Sequence, residues 1–226
     1  MVSTVRAAWL MLVVLLGLAA CSTGRQATEV QRLQARAAFE RGLKHFEARE
    51  ASPALAAFRE AVGLDPTSAL YRDILGLVYS QLQRPDLALE QFREAVALDP
   101  QGADAHFHLG VALAESAQWS LAVAAYRKAL ELPTLSVPDL AHQNLGLALY
   151  HLRQYADAEQ ALRFAISLSP EMQAAYYHLG LVLAAQSRPD EARVAFTRAR
   201  TLGPNTLFGE AAGVRLNALG GEPSRP

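Results

Sequence analysis

Between residues 35 and 204 the apolar residues recur at spacings of three and four, in blocks of about twelve to fifteen residues, which predicts a run of amphipathic α-helices. The blocks come in pairs, and the pair is written five times. Glycines stand at Gly42, Gly76, Gly110, Gly146 and Gly180, at intervals of 34, 34, 36 and 34. Twelve residues after each glycine comes an alanine (Ala54, Ala88, Ala122, Ala158, Ala192), and seven later another (Ala61, Ala95, Ala129, Ala165, Ala199). Between the two alanines sits a large side chain: Phe58, Phe92, Tyr126, Leu162 and Phe196. Pro66, Pro100, Pro170 and Pro204 close four of the units, and in the third Pro133 comes one residue early.

Each column has a physical reason. A glycine inside a helix costs about 1 kcal/mol relative to alanine, so five of them need compensation. The expected compensation is close approach, with glycine on one helix against small alanines on the next. The large residue is then expected to plug the gap between one unit and the following one. The closing prolines end the second helix and set the turn. Pro53, Pro85 and Pro189 stand at the short turn inside the unit, where the first helical turn tolerates proline.

These columns resemble the tetratricopeptide repeat, whose pattern over 34 residues is W-x₂-L-G-x₂-Y…A-x₃-F…P. Leu75-Gly76 with Tyr79, Ala88 and Phe92 matches it closely, and Leu109-Gly110, Leu145-Gly146 and Leu179-Gly180 follow it. The departures are a tryptophan column that reads Ala38, Arg72, His106, His142 and Tyr176, Arg41 in place of leucine, and a longer link around Pro133 and Pro138. That link is read as a local change of pitch. The resemblance implies an all-α tetratricopeptide-repeat right-handed superhelix (α-solenoid), with about five helix–turn–helix repeats over 34–204. Residues 205–219 are expected to form a C-terminal capping helix, since a terminal repeat needs its apolar face covered, and 220–226 a flexible tail.

The N-terminus reads differently. Arg6 precedes an uncharged, mainly apolar run from Ala7 to Ala20. At fourteen residues this run falls short of the roughly twenty that cross a bilayer, and fits a signal peptide over 1–20 better than a short membrane helix. The run ends Leu18-Ala19-Ala20-Cys21, which resembles the bacterial lipobox. That resemblance implies cleavage before Cys21, acylation of Cys21, and a stable lipid anchor followed by a polar tether over 21–33. Ser22 follows where an aspartate would resemble an inner-membrane retention signal, which implies the outer membrane, facing the periplasm.

In tetratricopeptide proteins the first helix of each pair lines a concave face. The resemblance therefore implies a partner-binding groove formed by Phe39, Leu43, Phe46, Leu77, Phe107, His108, Val111, Gln143, Asn144, Leu147, Tyr150, Tyr177, His178 and Leu181. The aliphatic column Leu43, Leu77, Val111, Leu147 and Leu181 either lines this groove or packs between neighbouring first helices. Aromatic side chains are favoured anchors in partner interfaces, and the amides of Gln143 and Asn144 both donate and accept. Some members bind a free carboxylate through a clamp of Lys, Arg and Asn; the corresponding places here hold Phe39, Leu43, Ile74, Asp104 and His108 or, one unit on, Asp73, Leu77, His108, Leu140 and Asn144, and neither set has a Lys or Arg. An apolar or aromatic segment of a protein is the expected partner.

Composition narrows the function. A formal net charge of −1, from Lys+Arg 21 against Asp+Glu 22, argues against a nucleic-acid partner. One cysteine rules out an internal disulfide or a multi-cysteine metal site. His106 and His108 point to different faces of a helix and make poor metal co-ligands. No nucleophile elbow, H-E-x-x-H or P-loop occurs, so neither an enzyme, a cofactor, a metal nor a small-molecule substrate is expected. The ensemble resembles the type IV pilus biogenesis lipoproteins, the secretin pilotins of the PilF, PilW and Tgl kind. It implies a scaffold that binds secretin subunits. An adaptor lipoprotein recruiting a periplasmic protease or cell-wall hydrolase is the alternative.

Overall fold

The computed structural model describes residues 28–220; the expected signal peptide, Cys21 and residues 221–226 lie outside them. Among the described residues there are eleven α-helices and no strand. They run α1 (Glu29–Glu47), α2 (Ala51–Leu64), α3 (Ala69–Gln81), α4 (Pro85–Leu98), α5 (Ala103–Glu115), α6 (Trp119–Glu131), α7 (Pro138–His151), α8 (Tyr155–Leu168), α9 (Gln173–Ala185), α10 (Pro189–Leu202) and α11 (Leu207–Ala218). The chain divides into two compact units, the first ending at Tyr71 and the second beginning at Arg72.

In the first unit, α1 starts five residues before the expected boundary at 34, so the end of the expected tether is helical. The cause is a capping box. The Thr28 hydroxyl accepts from Gln31 N at 3.2 Å, and the Gln31 side-chain oxygen accepts from Thr28 N at 2.9 Å. The buried stripe Ala35, Ala38 and Gly42 packs on Ala54, Ala57, Phe58 and Ala61 of α2.

The second unit repeats this pairing, with α5 on α6, α7 on α8 and α9 on α10, and each pair packs on the next. All ten alanines of the two columns are fully buried. The large residue, however, sits over the glycine of its own unit. A Cβ added at Gly42, Gly76, Gly110 or Gly180 would lie 2.5–2.7 Å from the ring of Phe58, Phe92, Tyr126 or Phe196. One added at Gly146 would lie 2.5 Å from Leu162 Cγ. Besides plugging the gap to the next unit, as Phe92 does with its ring 5.7 Å from that of His108, this residue fills the space that glycine vacates within its own unit. Burial of the Tyr126 phenol pushes its pKa upward, so the hydroxyl stays neutral.

The turn inside each repeat is built the same way five times. Arg49, Gln83, Ala117, Arg153 and Ser187 hold φ between 55 and 60°, the left-handed region. The next residue's N–H reaches back to close a Schellman motif: Glu50 N to His45 O at 2.8 Å, Arg84 N to Tyr79 O at 2.9 Å, Gln118 N to Leu113 O at 2.8 Å, Gln154 N to Leu149 O at 2.9 Å and Arg188 N to Leu183 O at 3.0 Å. None of the five is glycine.

The long link after α6 is tied down. Asp104 at the start of α5 accepts from Ser136 N at 2.9 Å and from the Ser136 hydroxyl at 2.7 Å, while Leu132 is buried. The depleted tryptophan column is filled by other chemistry. His106 bonds the Pro100 carbonyl at 3.1 Å, Arg72 bonds Gln91 at 3.2 Å, the His142 ring lies 4.5 Å from that of Phe164, and Arg198 stands 5.8 Å over the Tyr176 ring.

Candidate functional site: the first-helix face

In the second unit the first helices α3, α5, α7 and α9 present the expected groove residues, and the structure sorts them. Val111 and Leu147 line a cleft of about 260 Å³ between α5 and α7, with Ala114, Glu115, Asn144 and Ala148. Its floor is Tyr126 and its rim is Trp119, both from α6. Asn144 is part of this lining, and its amide makes no hydrogen bond to another described residue. Leu77, Leu181, Tyr150 and Tyr177 are half-buried and pack against the core, so the aliphatic column does both of its possible jobs in different repeats.

Three expected groove residues are sealed. Phe107, Gln143 and His178 are only 7–8% exposed. The Phe107 ring lies 6.0 Å from Tyr126 and belongs to the core, because it stands on the side of α5 that turns toward α6. Gln143 Nε2 donates to His178 Nδ1 at 3.1 Å, spanning α7 and α9. Burial, helped by nearby His151, pushes the His178 pKa down to about 4, so the imidazole is neutral at neutral pH. Phe208 of α11 covers this end, with ring centroids 5.5 Å from His178 and 5.6 Å from Tyr177. These residues brace the face from within.

His108 is half-buried, and its Nδ1–H donates to the Asp73 carboxylate at 2.9 Å from Oδ1 and 3.1 Å from Oδ2. In the first unit Leu43 and Phe46 are exposed, at 37% and 40%, whereas Phe39 is half-buried between Phe58 and Tyr71, with centroids 5.5 and 4.8 Å away.

Sequence reasoning missed the rim. Trp119 stacks on His151 with centroids 3.9 Å apart and planes 7° from parallel, and Tyr150 lies 5.7 Å from His151 and 5.9 Å from Tyr155. The signal was present: Trp119 and Tyr155 occupy the first position of α6 and α8, where α4 and α10 carry Pro85 and Pro189. Two aromatics replacing two prolines on adjacent repeats form a continuous edge of Trp119, Tyr150, His151 and Tyr155 beside the cleft.

Other cavities exist. One of about 600 Å³ lies between α10 and α11 and is lined by Arg193 and Arg200 with Thr197 and Thr201. Two of about 370 Å³ occur between second helices, each crossed by an ion pair, Arg127–Asp157 and Arg163–Glu191, both at 3.7 Å. An apolar guest there would have to displace those charges. The α5–α7 cleft needs no such exchange, which singles it out for an apolar or aromatic segment. Among the described residues no group of three or more metal-ligating side chains occurs, and no helix is long and apolar enough to cross a membrane.

Stacked helix hairpins that present the first-helix face in successive repeats define a protein-binding repeat scaffold. The chain belongs to the tetratricopeptide-repeat family, whose model matches residues 75–135 and 144–205, more than half of the sequence. Among solved structures it is similar to MamA, at 26% identity over 75% of this chain and 91% of that one, with a TM-score of 0.68. YrrB, described as having an unusual peptide-binding site, is similar at 21% identity over 78% and 90%, with a TM-score of 0.68. PilW, a type IV pilus biogenesis factor, is similar at 21% identity over 85% and 94%, with a TM-score of 0.66. A search of the curated proteins returns no match.

Proposed function

We propose that the protein is a lipid-anchored scaffold of the outer membrane that holds secretin subunits through the first-helix face and promotes their assembly for type IV pili. The observation that carries the binding mode is the α5–α7 cleft, whose almost wholly apolar lining, with Asn144 among its residues, stands beside the aromatic edge. Such a surface suits an extended segment, with Asn144 pairing to its backbone and Trp119 and Tyr150 receiving an apolar side chain. The lipobox ending at Cys21 supports the anchor, and the fold shared with PilW over most of both chains supports the pilus role. The mechanism needs no bond chemistry. Acyl chains on Cys21 confine the scaffold to a surface, and recruiting the subunit there raises its effective concentration.

Partner capture from intact envelopes with the native lipoprotein tests this reading. Recovery of secretin subunits, reduced at least tenfold by Trp119→Ala with Tyr150→Ala, is the expected result. Recovery of a protease or cell-wall hydrolase without secretin overturns the pilus role. Capture unchanged in the double variant overturns the cleft. Cys21→Ala should leave the helical content intact and release the protein from the membrane fraction; retention there overturns the anchor.

A further inference from the structure

The capping helix has two apolar faces. One is used: Gly209 and Ala212 are buried against the repeats, and Leu216 and Leu219 pack on the core. On the opposite side Leu207, Ala211, Val214 and Ala218 follow one another at steps of four, three and four residues. That is the a/d seam of a coiled coil, with Leu207 and Val214 at d and the two alanines at a. Leu207 is 79% exposed, more than any other large apolar residue described, and Val214 is 68% exposed.

The flanking charges say what the seam fits. In this register Glu210 occupies g and Arg215 occupies e, five residues on. In a parallel pair of helices a g residue meets the e residue five places later on its neighbour, and opposite charges there set orientation and partner choice. Glu210 and Arg215 have no ion-pair partner among the described residues. A second copy of α11, laid parallel, would supply Arg215 to each Glu210 and Glu210 to each Arg215, while small alanines at a let the backbones approach. An antiparallel pair sets g against g and e against e, which places like charges on the same edge.

We infer that the exposed face of α11 is a self-association surface, on which two copies of this chain pair in parallel about a two-fold axis. The interface is isologous, so it closes at two copies and does not propagate. A twelve-residue seam is small beside the roughly 1,200–2,000 Å² of a standard interface, so the dimer forms only at high local concentration.

The test is sedimentation equilibrium of the full chain over a hundredfold concentration range. The mass is expected to rise from that of one chain toward twice that value. Val214→Glu should abolish the rise with the helical signal unchanged. Glu210→Arg and Arg215→Glu should each weaken association about tenfold, and the two together should restore it. With Cys21→Ser as background, Val214→Cys should form a disulfide dimer on oxidation, because d meets d in a parallel pair. A chain that stays monomeric throughout overturns the inference, whether residues 221–226 or another protein covers the seam. So does a dimer indifferent to Val214→Glu, or cross-linking of Ala211→Cys to Val214→Cys in preference to self-linking, which marks an antiparallel pair.

Discussion

Inside each repeat, five times over, a glycine on the first helix lies beneath the large side chain of the second. Between repeats the residues three and two places before that glycine meet, and their chemistry differs each time. Asp73 receives the His108 N–H at 2.9 Å, Gln143 donates to a sealed His178 at 3.1 Å, and Tyr177 meets Phe208 of the cap. Packing inside the hairpin has one solution because a Cβ has nowhere to go. The joint between hairpins has several because a hydrogen bond, a ring contact or a carboxylate pair can each span the same gap. The frame is therefore repeated while the face it presents is individual, and this is how one architecture can hold different partners.

The largest effect should come from a residue that is on the presenting helix yet belongs to the frame. Phe107 is 8% exposed in the core, whereas Tyr150 is half-buried at the rim. Phe107→Ala should lower stability by about 3–4 kcal/mol, measured by denaturant unfolding. A loss below about 1 kcal/mol would return Phe107 to the groove. Next comes Gly110→Val. Its Cβ would lie 2.5 Å from Tyr126 Cε1, and that ring is enclosed, so the predicted loss is about 2–3 kcal/mol despite the relief of a helical glycine. A neutral result would mean that the hairpin can open without cost.

The joint between repeats should respond to pH. His178 titrates near 4 when folded, below the ordinary value of 6.5, because burial penalises its charged form. Between these values the unfolded chain binds the extra proton, so stability is fully present above about pH 6.5 and falls as the pH drops toward 4. The drop attributable to His178 should be about 3 kcal/mol. Half-buried His142, also held low, adds in the same direction. Urea titrations at stepped pH check this: His178→Asn should flatten most of the slope. An equal slope in the variant would remove His178 as its source.

Much of this frame was legible in the sequence. The glycine, alanine and large-residue columns have a strict period because each answers a steric demand that recurs at every hairpin. The site was less legible. Spacing places Phe107, Gln143 and His178 on the first helix but cannot say how far each is rotated toward the neighbouring hairpin. A shift of one residue on a helix turns a side chain by about 100°. The rim was hidden for another reason: Trp119 and His151 are far apart in sequence, and their stacking depends on how α6 and α7 pack. The start of α1 was missed because Thr28 and Gln31 cap a helix whose first turns carry no core residue.

The smallest prediction concerns a feature that belongs to the frame yet departs from the residue it calls for. All five hairpin turns place a non-glycine residue at positive φ, and at four of them the side chain is long or polar. Ala117, at φ 55°, has only a Cβ, which carries the steric cost and makes no bond in return. That cost is about 1–2 kcal/mol, and glycine escapes it, while giving back part of the gain through the greater freedom of the unfolded chain. The Ala117→Gly variant should therefore be more stable by about 0.5–1 kcal/mol, seen as a small rise in Tm with an unchanged m-value. Because Gln118 N to Leu113 O closes the same motif in both, the first-helix face should bind its partner as before. A destabilised Ala117→Gly would mean that the turn is held by its neighbours alone and that the left-handed residue carries no strain to relieve.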